Sequence, residues 1–292
     1  MEYKLMTDSC SDLPIEIVRK YDIDIVHFTI HMEGEELRDD MGVSFDREEF
    51  FNRLKNGATA STSQVNAGTY LEKFKYYADN NIPLLYLAFS SGLSGSYNSA
   101  MTALDMLKEE YDNPAITIID TQAACLGEGL LVYEAAKRKA AGQSLPEVAE
   151  WVEENKKRVH SWVTVDDIKH LQRGGRVSAA SATIGTLLSV KPIIAVTKNG
   201  KLVPVAKVRG RKKSLQYLVD KTVEGAVRSE EQTMFIGHAG VPEEAEWVKS
   251  ELEKRLQVKD IIVSPFGPTI ASHTGFGSMA LFSLGEERTL EG

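Results

Sequence analysis

The sequence of 292 residues contains only two cysteines, Cys10 and Cys125, and they lie far apart. This scarcity excludes a disulfide framework and a cysteine-rich zinc site. No apolar run reaches the roughly 18 residues that a membrane-spanning helix needs, and the N-terminus lacks the apolar core of a secretory signal. We therefore expect a cytoplasmic protein without stable membrane insertion, whose length suffices to bury a large core.

Common nucleotide and hydrolase signatures are also absent. The sequence has no G-x-x-x-x-G-K-[ST], which excludes a P-loop. Gly127-Glu128-Gly129 lacks the third glycine of a dinucleotide-binding fingerprint. The segment around Ser94 departs from the G-x-S-x-G nucleophile elbow because Ser96 stands where the last glycine should be. His27 and His31 have no third ligand nearby, so we predict no metal and no cofactor.

Negative charge exceeds positive charge overall, but one segment is purely basic. The formal net charge is −8, which disfavours a general nucleic-acid-binding protein. Residues 168–213, however, contain eleven Lys and Arg and no Asp or Glu. Such a segment suits an anionic ligand or an acidic or nucleotide-carrying partner. A nucleic-acid-binding regulator is the weakest hypothesis, because the segment lacks interleaved aromatic residues and the sequence shows no helix-turn-helix pattern.

The pattern of apolar residues predicts an α/β protein of two domains. In residues 1–165, short apolar strands alternate with amphipathic helices, which is typical of a mostly parallel sheet flanked by helices. In residues 166–292, Asn199-Gly200 marks a hairpin, and strands and helices then follow in a pattern that indicates a mixed sheet. The predicted strands are Tyr3–Thr7, Ile23–His31, Leu84–Phe89, Ile116–Asp120, Val159–Val165, Ile193–Thr197, Lys201–Val208, Met234–His238, Ile261–Pro265 and Gly277–Leu284. The predicted helices are Leu13–Tyr21, Arg47–Lys55, Ala67–Asp79, Gly95–Glu110, Gly127–Ala141, Leu145–Lys157, Ser178–Ser189, Ser214–Val227 and Glu243–Leu256.

Six polar segments interrupt this pattern, and most follow a predicted strand or open a helix. They are Asp8–Pro14, Thr59–Gln64, Ser90–Tyr97, Leu171–Ser178, Lys207–Lys213 and Ile270–Gly277. In a parallel sheet such loops meet at the carboxyl ends of the strands, where ligands bind. Hydroxyl groups and helix N-termini favour anions, so these loops predict a site for a carboxylate or a phosphate monoester.

In these six segments the sequence resembles the DegV family, fatty-acid-binding proteins that act as lipid-presenting subunits of bacterial fatty acid kinase. The matching segments occur in the family's order and span nearly the whole chain: Thr7-Asp8-Ser9 with Asp12-Leu13-Pro14, Thr62-Ser63-Gln64, Ser91–Gly95, Arg173–Arg176, Lys207–Arg209 with Lys212-Lys213, and His273–Gly275. Val65 stands in place of a proline, Ser96 in place of a common threonine, and Gly210 in place of a usual threonine.

The resemblance implies that a long-chain fatty acid (C14–C18) lies in a tunnel between and within the two domains. It implies that Thr62, Ser63, Ser94, Gly95 and His273 bind the carboxylate. Arg173 and Arg209 would then lie at the rim or contact the ATP-binding kinase subunit. The predicted acyl-chain lining comes from the second half: Ile184, Leu188, Ile194, Phe266 and Phe282. On this reading the chain is not itself an enzyme.

An enzymatic alternative uses the same residues differently. Ser94 with His273 could form the nucleophile and base of a hydrolase or acyltransferase, provided that a carboxylate orients the histidine. The incomplete elbow sequence counts against it. Covalent labelling by a serine-reactive phosphonate that is lost in Ser94→Ala would support this alternative.

Overall fold

The computed structural model describes residues 2–178 and 189–291. Over these residues the strands are β1 Lys4–Asp8, β2 Asp24–Val26, β3 Thr29–Met32, β4 Glu35–Arg38, β5 Ala60–Ser63, β6 Leu84–Ala88, β7 Ile116–Asp120, β8 Val159–Thr164, β9 Val190–Val196, β10 Leu202–Arg209, β11 Thr233–His238, β12 Asp260–Pro265 and β13 Met279–Leu284. The helices are α1 Ile15–Lys20, α2 Arg47–Lys55, α3 Ala67–Asp79, α4 Ser96–Lys108, α5 Leu126–Ala140, α6 Leu145–Asn155, α7 Lys169–Arg173, α8 Arg211–Gly225, α9 Pro242–Glu253 and α10 Pro268–Thr274.

The N-terminal half builds a four-stranded parallel sheet in the order β2-β1-β6-β7. All five residues of the inner strand β6 are buried, as expected of a parallel strand with helices on both faces. The helix α2 begins after Asp46, whose carboxylate accepts from Glu49 N–H, and α6 begins at a capping box of Ser144 and Glu147. These local signals are why both helices lie where the sequence predicts them.

The C-terminal half builds a six-stranded mixed sheet in the order β10-β9-β8-β13-β11-β12. The predicted hairpin at Asn199-Gly200 joins β9 to β10, and only β11 and β12 run parallel within the sheet. Strand β8, which the apolar pattern assigns to the N-terminal half, hydrogen-bonds to β9 and β13. The domain boundary at residue 165 stays a prediction, but a division by sheet membership would fall before Val159.

A third, small antiparallel sheet in the order β4-β3-β5 corrects two predictions. The strand predicted over Ile23–His31 is two strands in different sheets, because the chain turns at Phe28, whose N–H donates to Ser9 Oγ. The segment Thr59–Gln64, predicted as a polar loop, contains β5. A strand rich in small hydroxyl residues carries little apolar signal, so its pairing with β3 decides its conformation.

The helix α5 lies between the parallel sheet and the mixed sheet. It contacts β6 on one side and β8, β11 and β13 on the other. Seven consecutive residues from Leu126 to Val132 are buried, as expected of a helix enclosed on all sides. Gly127 brings the helix against Phe282, since a Cβ there would lie 3.1 Å from the ring. Together these contacts join the two halves of the chain in one packed core.

Two short helices are not predicted from the sequence. α7 lies in the basic segment and α10 lies in the predicted loop 270–277. Both helices are too short to show the periodic spacing of apolar residues by which helices are predicted. The helix predicted over Ser178–Ser189 falls mostly on residues outside the described ranges.

Candidate functional site

A mostly apolar cavity lies between α5, the mixed sheet and the loops at the end of the parallel sheet. The space between protein atoms there is about 760 Å³, part of which is open to solvent. Its lining in the described part of the chain is Cys10, Phe28, Thr62, Phe89, Leu93, Ser94, Ala124, Cys125, Ser161, Val163, Leu171, Arg176, Ile194, Val196, Leu202, Phe266, Thr269, Ile270, His273, Thr274, Ala280 and Phe282.

The floor of this cavity is one face of the mixed sheet. Side chains alternate between the two faces of a strand, so Ser161 and Val163 of β8 share a face. The ladder pairs them with Phe282 and Ala280 of β13, and Val163 also pairs with Ile194 of β9. All five residues line the cavity. A floor that is apolar apart from Ser161 suits an extended, mostly apolar ligand.

Polar side chains from four distant segments meet at one end of the cavity. His273 Nε2 lies 2.8 Å from Thr62 Oγ1. Arg176 Nε donates to the carbonyl of Leu93, 3.1 Å away, which places the guanidinium next to Ser94. We call Thr62, Ser94, Arg176 and His273 the polar cluster. Its members lie at the junction of the N-terminal and C-terminal halves, where neither half alone would form it.

Strand alternation explains why Thr62 reaches the cavity and Ser63 does not. Thr62 pairs with Ile30 of β3 and is half-buried, whereas Ser61 and Ser63 are exposed. Ser63 Oγ lies 2.7 Å from His31 Nε2 on the opposite face of this small sheet. Successive residues of a strand face opposite ways, so only one of the two predicted hydroxyls points inward.

The imidazole of His273 is held neutral by its surroundings. Burial, and then the positive charge of Arg176, lower its pKa to about 4. Gly174 passes directly over the ring, since a Cβ at that position would lie 2.2 Å from Nδ1. This close approach is why glycine is needed between Arg173 and Arg176. A neutral His273 can donate from one ring nitrogen and accept at the other.

Arg176, which is not among the predicted site residues, is the arginine that lines the cavity in place of Arg173. Burial lowers its pKa. Arg173 is exposed on α7, and Arg209 is exposed at the end of β10. The two arginines of the motif are only three residues apart, and the positive φ of Gly175 sets which of them turns inward. Sequence spacing alone gives no signal for that turn.

The remaining predicted site residues are placed as follows. Ile194, Phe266 and Phe282 line the cavity, whereas Ser63, Gly95, Arg173 and Arg209 are not among its described lining residues. Gly95 precedes α4 and lies against the side chain of Gln64. Ile184 and Leu188 fall outside the described residues. The binding roles assigned to all of these residues remain predictions.

Several cations of the basic segment pair with acids from elsewhere in the chain. Lys191 Nζ lies 2.6 Å from Asp166, and Arg211 is bonded to Glu244. The segment that is purely basic in sequence is therefore partly neutralised in the fold.

Asp12 and Cys125 form a buried pair beside the cavity, which Cys125 lines. The carboxyl group of Asp12 accepts from Gly267 N–H at Oδ1, 2.8 Å away, and its Oδ2 accepts from the thiol of Cys125, 2.9 Å away. Burial raises the pKa of Asp12 to about 8. Burial also raises the pKa of Cys125 well above its ordinary value. Both thus hold their protons at neutral pH, which keeps negative charge away from this wall of the cavity.

The hydrolase alternative is not supported by this geometry. Ser94 Oγ accepts from Ser96 N–H, 3.2 Å away, and His273 Nε2 is bonded to Thr62 instead of Ser94. The described ranges contain no group of three or more His, Cys, Asp or Glu residues arranged to hold a metal ion. Within residues 2–178 and 189–291, no helix is both long and apolar enough to cross a membrane.

Fold and site together define a class of protein: an α/β protein that encloses an apolar cavity with a polar cluster at one end. The chain belongs to the DegV family, a family of uncharacterised proteins whose sequence profile matches residues 2–286. A DegV domain-containing protein of Clostridium perfringens is 43% identical over 98% of this chain and 99% of its own length. One from Lactococcus lactis is 40% identical over 97% of this chain and 98% of its own.

Solved structures of the same fold include proteins described with bound lipids. A DegV family protein from Ruminococcus gnavus, described with vaccenic acid, is 26% identical, with a TM-score of 0.85 over 96% of this chain and 99% of that chain. A DegV family protein from Thermus thermophilus, described for its fatty acid binding, is 27% identical, with a TM-score of 0.85 over 98% and 100% of the two chains. These matches confirm the predicted mixed α/β fold and the family.

Proposed function

We propose that the chain binds a long-chain fatty acid, with the acyl chain in the apolar cavity and the carboxylate at the polar cluster. The observation that carries this proposal is the meeting of Thr62, Ser94, Arg176 and His273 at one end of an otherwise apolar space. A buried carboxylate is costly unless hydrogen bonds and opposite charge compensate it. This cluster provides two hydroxyl donors and one cation.

The hydrogen-bond directions suit a carboxylate. When neutral His273 donates from Nε2 to Thr62 Oγ1, the threonine hydroxyl is free to donate its proton to the ligand. Ser94 Oγ accepts from Ser96 N–H and donates to Ser96 Oγ, each 3.2 Å away, so the serine hydroxyl would exchange its bond to Ser96 Oγ for one to the ligand. Hydrogen bonds to an ionised acceptor are about twice as strong as neutral ones. The apolar tail adds roughly 0.8 kcal/mol of gross affinity for each buried methylene, partly offset by ordering of the chain.

Mass spectrometry of the purified protein tests the proposal. Native spectra should show a fatty acid of C14–C18, such as palmitate, and the stripped protein should take one up again when it is offered. A chain that carries no lipid and binds none would overturn the proposal.

Thr62→Val gives a sharper test, because valine keeps the shape and removes the hydroxyl. By calorimetry, we expect fatty acid affinity to fall about tenfold or more, the value of a charge-assisted hydrogen bond. Ser63→Ala is the matched control, since its hydroxyl contacts His31 on the exposed face. Equal losses in the two variants would contradict the placement of the carboxylate at Thr62.

The second part of the proposal concerns a partner. We infer that the bound carboxylate is presented, in the cytoplasm, to the ATP-binding subunit of a fatty acid kinase. A carboxylate oxygen would attack the γ-phosphorus of ATP, giving an acyl-phosphate and ADP, while this chain supplies no catalytic group. The exposed cations Arg173 and Arg209 support this reading, since they leave positive charge on the surface for an acidic or nucleotide-carrying partner.

Phosphate transfer from labelled ATP tests the partnership. With the kinase subunit present, acyl-phosphate should form only when this chain and a fatty acid are both added. Arg173→Glu should reduce that transfer while fatty acid affinity stays unchanged, because Arg173 lies outside the described cavity lining. Loss of fatty acid binding in this variant, or undiminished transfer, would contradict the partner-contact role.

A further inference from the structure

The cavity floor contains a buried hydroxyl with no hydrogen-bond partner. Ser161 of β8 is 3% exposed, and its Oγ has no partner within the described residues. It borders the cavity between Val163 and Phe282, both apolar. Leaving a buried hydroxyl unpaired destabilises the folded chain, so its presence in this wall calls for a reason.

Packing explains why residue 161 is small but not why it is polar. Gly127 of α5 lies directly over it, and a Cβ on that glycine would be 3.1 Å from Ser161 Oγ. A bulky side chain at 161 would therefore push α5 away from the sheet. Alanine would meet the same limit without burying a hydroxyl. Packing therefore does not explain the hydroxyl oxygen of Ser161.

Ser161 lies away from the polar cluster. Strand β8 leads through Val165 into α7 and Gly174, which covers His273. Ser161 is four residues before Val165, or about 13 Å along an extended strand. The hydroxyl thus faces the acyl part of a ligand whose carboxylate is at the cluster.

We propose that Ser161 is a specificity-determining residue that selects acyl chains carrying a hydrogen-bonding group, such as a mid-chain hydroxyl, opposite its Oγ. This inference rests on the proposed function, since it assigns a substrate class to the same cavity. A ligand hydroxyl at this position would form a hydrogen bond with Ser161, so neither hydroxyl would be buried in the apolar wall without a partner. An unsubstituted acyl chain would leave Ser161 unpaired.

Calorimetry with two ligands on the unaltered protein tests the inference. A mid-chain hydroxystearate should bind about five- to tenfold tighter than stearate, as one added hydrogen bond predicts. In Ser161→Ala the difference should disappear or reverse, because the hydroxyl on the ligand would then be buried without a partner. Ser94→Ala is the matched control, which should weaken both acids equally and keep the preference.

Each outcome decides a different statement. Equal affinity of the unaltered protein for the two acids, or a preference that persists in Ser161→Ala, overturns the inference and leaves fatty acid binding standing. Ser161 also lines a neighbouring pocket formed with residues 287–290. A water bound to Ser161 in that pocket is the competing occupant, and it predicts such equal affinities. If neither acid binds, the proposed function itself fails. The ligand comparison on the unaltered protein decides the matter even if the variant does not fold.

Discussion

Asp12 should make the stability of this protein fall as pH rises through the neutral range. Its carboxyl group is fully buried behind the cavity, and burial raises its pKa to about 8. In the unfolded chain the ordinary value is 3.8. Between these two values the folded chain keeps a proton that the unfolded chain releases. Rising pH therefore favours the unfolded state, and the stabilisation that is complete below pH 3.8 is lost as pH approaches 8.

The magnitude follows from the gap between the two pKa values. Between the two pKa values, each pH unit lowers the free energy of unfolding by about 1.4 kcal/mol. Asp12 alone should therefore lower it by about 3 kcal/mol between pH 5 and pH 7. Asp12→Asn abolishes this titration while keeping the size of the side chain. The backbone tolerates the change, since Asp12 has a φ of 52° and asparagine is enriched in that left-handed region. The amide carbonyl of the variant side chain can still accept from Gly267 N–H.

The assay is urea unfolding of both proteins at several pH values from 5 to 8. The free energy of unfolding of Asp12→Asn, relative to the unaltered protein, should improve by about 3 kcal/mol between pH 5 and pH 7. Parallel pH profiles would refute the reasoning, because they would mean that Asp12 is ionised in the folded chain.

Asp24→Asn serves as a control with the opposite sign. Burial alone would raise the pKa of Asp24, but hydrogen bonds from Lys73 and Tyr77 outweigh it and hold the pKa below its ordinary value. The unaltered chain should therefore lose its advantage over Asp24→Asn as pH falls through the acid range.

Three further predictions concern binding and stability. Gly174→Ala should weaken fatty acid binding in a lipid-uptake assay, because its Cβ would lie 2.2 Å from His273 Nδ1 and displace the ring; unchanged uptake would mean that the ring position is unimportant. Phe74→Ala, at a fully buried position of α3, should cost about 3–5 kcal/mol in urea unfolding, whereas Tyr76→Ala on the same helix, 59% exposed, should stay within about 0.5 kcal/mol. Ser144→Ala removes half of the capping box of α6 and should lower stability by about 1 kcal/mol in the same assay.

Sequence patterns predict the local elements of this fold well, because their causes are local. The helices α2 and α3 occupy the predicted residues, since Asp46 and Asn66 cap their first turns within three residues. The strand β6 is predicted for the same kind of reason, because an uninterrupted apolar run can be buried on both faces. Strand β5 is not predicted, because nothing within its own four residues specifies a strand; its conformation depends on β3, about thirty residues earlier.

The candidate site is harder to predict, since its members are brought together by contacts across the chain. Thr62 and His273 are 211 residues apart in sequence and 2.8 Å apart in space. A motif can indicate that the site uses a hydroxyl group or an arginine. The alternation of side chains along β5 then decides between Thr62 and Ser63. The turn at Gly175 decides likewise between Arg173 and Arg176. In both cases the resemblance indicates a segment, and the fold selects the residue of that segment which faces the cavity.

The predicted division of the chain into two domains bears directly on the site. The polar cluster takes Thr62 and Ser94 from the first half and Arg176 and His273 from the second. The helix between the halves, α5, has a buried run of Leu126–Val132 that needs a sheet on each side. A chain cut at the predicted boundary would expose that apolar helix and leave each piece with half of the cluster. The enclosed cavity thus requires the two halves to fold against each other, and a ligand in it would add contacts to both.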